Sequence, residues 1–258
     1  MYRGYNLSIN DRNFLSAHRA TGQALITQQK NKREKAIDDY IRGDALDASQ
    51  LQRDWFGPVD SNVFISHSHK DFELVTGIAG FLQNAGLSPF VDSFVWNHAL
   101  DLIKELDEKY CYNDDRKTFS YQMRNRSTSH VYLMLSSALN KMIDRCECIL
   151  FINTDSSVTA NKLIKQGADF TASPWIYSEI ETTRVIDKRR PLRLKNIVLS
   201  NEAYAYDEAE IRTLPEFHYE LDMSHLTALN EREFHQWTQG AQRIQGDALL
   251  DLLYKNYN

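Results

Sequence analysis

Two stretches carry side chains suited to chemistry, and they lie far apart in the chain. In "SNVFISHSHKDF", residues 61–72, the apolar run Val63, Phe64 and Ile65 gives way to Ser66, His67, Ser68, His69, Lys70 and Asp71. In "ASPWIYSEIETTRVI", residues 172–186, a helical pattern carries Glu179. With Trp175 at zero and about 100° per residue, Ile186 falls at about 20°, Glu179 at about 40° and Ile176 at about 100°, whereas Glu181 falls at about 240°. Glu179 therefore sits within the apolar face and Glu181 outside it. A carboxylate on a core-facing stripe is costly unless it is paired, neutral or lining a cavity. Two readings follow. Glu179 is a buried structural acid that caps a strand or pairs with an arginine, or it is a carboxylate in a cleft, shielded beside Trp175 so that its pKa is tuned. The cluster after Ile65 has the same two readings: a strand-to-helix turn in which Ser68 caps the helix and Asp92 pairs with Lys70, or the wall of a site.

The elements that must position these residues alternate. Residues 63–66 read as a buried strand, "LSPFVDS" (87–93) as a second, "CECILFINTDSS" (146–157) as the most apolar one, and "LKNIVLS" (194–200) and "FHYELDMS" (217–224) as two more. Between them lie amphipathic helices at 71–86, 97–110, 128–144 and 174–188, and the tail from 231 to 253 is helical. Gly86 is placed to end the first of these, and Ser173 with Pro174 to open the one that carries Glu179. Residues 111–127 show no period and read as an excursion. Strands alternating with helices predict a parallel sheet covered on both faces, with ligands bound beyond the carboxyl ends of the strands. Ser66 to Asp71 would lie there. Before the turn "GPVD" (57–60), residues 11–43 are helix-prone, with Ala17, Ala20, Leu25 and Ile26 on one face. The chain therefore divides into a helical N-terminal extension (1–58) and an α/β domain (59–258) with an insertion around 97–128 and a C-terminal helix.

Composition narrows the function classes. The 258 residues are 42% hydrophobic and 25% charged, as in globular proteins, with a net charge of −5. That balance gives no global electrostatic reason to bind nucleic acid or an anionic membrane. No apolar run reaches the roughly 20 residues of a membrane span, and residues 1–14 lack the apolar core of a secretory signal. Cys111, Cys146 and Cys148 are too few for a disulfide framework, Cys146 and Cys148 read as two buried thiols near a strand, and a reducing cytosol is expected. His67 and His69 form an H-x-H pair without further ligands at metal spacing, so no metal site is expected. Neither G-x-G-x-x-G nor G-x-x-x-x-G-K-[ST] occurs, which argues against an ordinary dehydrogenase or a P-loop ATPase.

Taken in order, "VFISHSHKD", a strand ending "PFVDS", and "SPWIYSEIE" resemble a TIR (Toll/interleukin-1 receptor) domain over about residues 60–225. The aromatic-x-Asp pattern is matched by Phe90 and Asp92, and the Trp four residues before a Glu by Trp175 and Glu179. The chain is similar in particular to bacterial TIR proteins of anti-phage defence, including those of Thoeris systems. The resemblance implies a flavodoxin-like, doubly wound, five-stranded parallel sheet. It also implies an enzyme that cleaves NAD, as substrate rather than cofactor, between nicotinamide and ribose, as a glycohydrolase or as a cyclase yielding a cyclic ADP-ribose signal for a downstream effector. Glu179 takes the catalytic role by position. Ser66, His67 and Ser68 would form the pocket floor, Asp92 and the loop 93–97 its lid, and Phe94, Trp96 and Trp175 would offer aromatic surface to the substrate. Self-association through TIR domains is the implied partner mode. The sequence departs from the family at Ile176, where many members have Cys, and no basic residue follows Ser66 directly. Two other readings stay open: a non-catalytic TIR module acting by homotypic assembly, and an enzyme like the nucleoside deoxyribosyltransferases, which share a similar fold and a catalytic Glu.

Overall fold

A computed structural model describes residues 1–30, 37–42, 45–56, 60–113, 117–160, 168–194 and 217–257. In chain order the elements are β1 (Arg3–Ser8), α1 (Arg19–Lys30), β2 (Ile41–Arg42), β3 (Ala45–Leu46), α2 (Ala48–Phe56), β4 (Val63–Ser66), α3 (Phe72–Asn84) and β5 (Pro89–Val91). They continue with α4 (Ser93–Tyr110), α5 (Tyr121–Arg145), β6 (Cys148–Asn153), β7 (Thr159–Ala160), β8 (Asp169–Thr171), α6 (Pro174–Val185), β9 (Tyr219–Leu221), β10 (Thr227–Asn230), α7 (Glu231–Gly240) and α8 (Asp247–Asn256).

The main sheet has five strands in the order β10-β1-β6-β4-β5, and every pairing is parallel. Alternate residues of each strand face opposite layers. Tyr5, Leu7, Val63, Ile65, Leu150 and Ile152 point into one core, which α1, α3, α7 and α8 cover. Phe64, Phe90 and Ile149 point into the other, against α4 and α5. The sheet is therefore doubly wound, as expected. Counted from β4, the order β5-β4-β6 is the second-first-third arrangement of a flavodoxin-like sheet. The fourth place is filled by β1 and the fifth by β10.

That arrangement corrects the reading of residues 1–58 as a helical extension. Arg3–Ser8 is a strand inside the sheet, hydrogen-bonded to β6 on one side and β10 on the other, and α1 packs against α3. Its fully buried Tyr5 and Leu7 make it as much part of the core as β4. The boundary placed at the Gly57 turn, and the strand expected at 194–200 beyond Leu194, lie outside the described residues. Residues 217–224 do contain a strand, but β9 belongs to a small antiparallel sheet with β7 and β8. Between β5 and β6 the chain makes two long helices, α4 and α5. The segment read as an excursion is bridged at Tyr112 and Phe119, and α5 begins at Tyr121, where Ser120 accepts a hydrogen bond from the Met123 amide. No described helix is long and apolar enough to cross a membrane.

Candidate functional site

β4 ends at Ser66, and the next residues turn into a short 3-10 helix (His69–Asp71) that runs on into α3. Ser68 caps that turn, its hydroxyl accepting from the Lys70 amide at 3.4 Å, so the capping role is present. Ser68 also lines a cleft of about 490 Å³ beyond the carboxyl ends of β4 and β5, together with His67, Lys70, Asp92, Tyr132 and Trp175. The volume is within the range of small-molecule sites.

Behind this wall lies Glu179. Ser173 caps α6 by accepting from the Ile176 amide, with Pro174 at the first helical position, and this start sets the phase that turns Glu179 inward. Its carboxyl is 3% exposed, and Ser66, 113 positions earlier in the chain, donates its hydroxyl to Oε2 at 2.5 Å. Ser66 and Glu179 do not themselves line the cleft; they stand one layer back, against His67 and Asp92, which do. His67 and Asp92 are 5% and 2% exposed, with Nδ1 of the ring 2.7 Å from Oδ1 of the carboxyl. The ring N–H is off the line of a good hydrogen bond, so this is a close polar contact rather than an aligned bond. Asp92 therefore faces His67, and not Lys70 as the capping-turn reading had it. Lys70 stands exposed at the rim.

The electrostatics follow from burial and from two carboxyls in one place. Burial raises the Glu179 pKa well above the ordinary carboxyl value, and the neighbouring Asp92 raises it further. The Ser66 hydroxyl and the His67 ring act the other way but are the smaller influences. Burial pushes His67 down to about 4, with the Glu179 charge opposing, so its ring is neutral. His69 is lowered as well, by burial and by His67. The resulting cluster combines two carboxyls, a neutral imidazole and a hydroxyl beside an aromatic wall, where Trp175 and Tyr132 meet with ring centroids 5.6 Å apart. Such a cluster can hold or release a proton and can stabilise a positive charge that develops against it.

Six of the eight residues singled out from the sequence converge here: Ser66, His67, Ser68, Asp92, Trp175 and Glu179. The lid expected at residues 93–97 is corrected: these residues form the first turns of α4, so the chain leaves Asp92 as a helix and not as a loop. Phe94 and Trp96 lie on those turns, and their side chains fall outside the described residues. The sequence reading missed Tyr132, because it read simply as part of a helical stripe, and Arg12, which carries no local signal at all. Arg12 reaches from the loop after β1 to form an ion pair with buried Asp71, and its Nη2 donates to Ser156 on the cleft wall at 2.9 Å. Thr154 completes this corner, donating to Asp71 Oδ2 at 2.6 Å. Cys146 and Cys148 are buried thiols, as expected, and burial pushes Cys146 up to about 12. Among the described residues no group of three His, Cys, Asp or Glu side chains is arranged to hold a metal ion.

Comparison with protein-family models, with curated proteins and with solved structures finds nothing that matches this chain, so its function has to be read from the cleft itself.

Proposed function

We propose that this chain is a TIR-type enzyme that cleaves NAD between nicotinamide and ribose, with Glu179 as the catalytic carboxylate. One observation carries the reading. Two segments, each singled out for the same resemblance, meet in a single buried hydrogen bond, Ser66 Oγ to Glu179 Oε2 at 2.5 Å, at the carboxyl edge of a flavodoxin-like sheet. A merely structural acid at this position has no need of a second carboxyl beside it, and Asp92 makes its burial more costly.

The chemistry suits the groups present. Nicotinamide leaves a cationic pyridinium as a neutral molecule, so no general acid is required. The ribose it leaves behind has oxocarbenium character, which a carboxylate stabilises as in glycosidases. The cationic ring would stack along Trp175 and Tyr132 while Asp92 moves toward its charge, uncovering Glu179 for the ribose. Attack by water gives ADP-ribose, and attack by a group of the same nucleotide gives a cyclic product. The wider proposal follows the resemblance: a cytoplasmic defence enzyme that self-associates and whose product is sensed by an effector.

Purified protein incubated with NAD, alone and in lysate of phage-infected cells, tests this by chromatography and mass spectrometry of nicotinamide. Glu179→Gln is expected to lower release by about a hundredfold or more. Equal release from both proteins would remove Glu179 from the chemistry. No release from either would favour the second reading, a non-catalytic module acting by assembly. The observation on that side is α5, which leaves Tyr121 and Leu133 80% and 70% exposed.

A further inference from the structure

Asp92 is the least explained member of the cluster. It faces the cleft, contacts His67, and lies against the carboxyl of Glu179. Two ionised carboxylates offer only acceptors, so such a contact requires a proton between them. The Ser66 hydroxyl does not supply it, because its one hydrogen lies on Glu179 Oε2. Glu179 Oε1 is buried and receives no donor from the described residues, which is the vacancy that a carboxyl proton fills. Among the described residues no other charged group acts on Glu179, although Lys70 and His69 line the same cleft. Lys70 and His69 stand exposed at the rim, Asp71 is neutralised by Arg12, and Glu181 on α6 turns outward to Arg184. From α4 and α5 the cleft receives Leu100 and Tyr132.

We infer that Asp92 is a positioning residue that shares one proton with Glu179, giving the pair a single negative charge matched to a cationic aromatic ring. This rests on the proposed NAD reading and deepens it. A cation seated beside Asp92 favours the doubly ionised pair, so binding drives the shared proton off Glu179 into solvent and leaves the carboxylate that the ribose needs. Discrimination is part of the same device. The intact pyridinium is held, whereas the neutral nicotinamide product has no charge to offer the pair and leaves.

Calorimetric binding of 1-methylnicotinamide, a pyridinium cation methylated on the ring nitrogen that cannot be cleaved, tests the inference when run in buffers of different protonation enthalpy across a pH series. The wild type is expected to release close to one proton per ligand on the acid side of the Glu179 titration, and affinity there should rise by up to about tenfold per pH unit. Neutral nicotinamide should bind more weakly, with no pH dependence. In Asp92→Asn the amide can donate to the Glu179 carboxylate, so the titration should move to lower pH. A structural role for Asp92 would weaken binding without moving it. Failure of the cation to bind, or the same titration in both proteins, overturns the inference. Should Asp92→Asn not fold, ¹³C-carboxyl NMR of the wild type against Glu179→Gln decides: Asp92 and Glu179 resonances that titrate together in the wild type, with the Asp92 titration moved in Glu179→Gln, support it, and an Asp92 titration that is the same in both proteins overturns it. NAD cleavage assayed in parallel separates the two levels. Proton-coupled cation binding without cleavage keeps the shared proton and removes the enzyme, whereas cleavage with an unmoved titration does the reverse.

Discussion

Ser66 has one hydrogen to donate, and it donates it to a buried acid. Ser66→Ala removes that donor and leaves Glu179 Oε2 without it, at an expected cost of about 1–3 kcal/mol. It should also move the acid limb of any activity to higher pH, because the Ser66 bond favours the ionised form. The direction is opposite to that expected for Asp92→Asn. Urea unfolding together with a pH–rate profile measures both effects, and an unchanged limb would make the bond incidental to catalysis. Much of this scale was legible beforehand. The helical period alone turned Glu179 inward, and Ser173 with Pro174 fixed where that period starts. The partner of Asp92 was not legible, because it depends on how two strand ends meet in space. Both Lys70 and His67 lie within reach in sequence, and the fold places His67 2.7 Å away.

At the scale of elements, α1 and α3 cross so closely that neither tolerates a methyl group at the crossing. A Cβ on Gly80 would lie 2.0 Å from the His18 carbonyl oxygen and 2.7 Å from the Gly22 nitrogen, and one on Gly22 would lie 1.9 Å from the Thr76 oxygen. These are backbone atoms, which cannot swing away as a side-chain tip does. Gly80→Ala should therefore destabilise by about 1–3 kcal/mol or more, with Tm lowered by roughly 2–4 °C per kcal/mol in a chain of this size. An unchanged Tm in differential scanning calorimetry would mean that the helices sit further apart than described. The helical character of residues 19–30 was readable, and so were β4, β5, β6 and the helices between them. β1 was not, although Tyr5, Leu7 and Ile9 alternate and are all buried. Three apolar positions of period two make a faint signal beside a longer helix-prone run. β10 is fainter still, with Leu229 its one fully buried residue. Both complete the sheet only because β6 and each other supply the hydrogen bonds, which is a tertiary fact.

For the whole molecule, the two readings of Glu179 differ in how stability depends on pH. His67 and His225 are both held down to about 4 by burial, against an ordinary value of 6.5. Below 6.5 the unfolded chain takes up protons that the folded protein refuses, so stability falls as pH drops toward 4, by at most about 1.4 kcal/mol per unit for each group. Glu179 acts with the opposite sign. Its folded pKa is raised above the ordinary 4.5, so the unfolded chain ionises first and stability falls as pH rises from there to the folded value. As pH rises from 4.5 the histidines and Glu179 therefore oppose one another, the histidines gaining stability up to 6.5 and Glu179 losing it up to its raised folded value. Glu179→Gln removes the Glu179 loss while keeping the shape and one acceptor for Ser66. The urea midpoint of the variant should rise relative to that of the wild type as pH climbs from 4.5, and the difference should level off above the folded Glu179 value. An acid kept at the expense of stability is what a working carboxylate predicts. A variant less stable than the wild type at every pH would instead make Glu179 an anchor of the fold, and the cleft would lose its reason for holding two carboxyls.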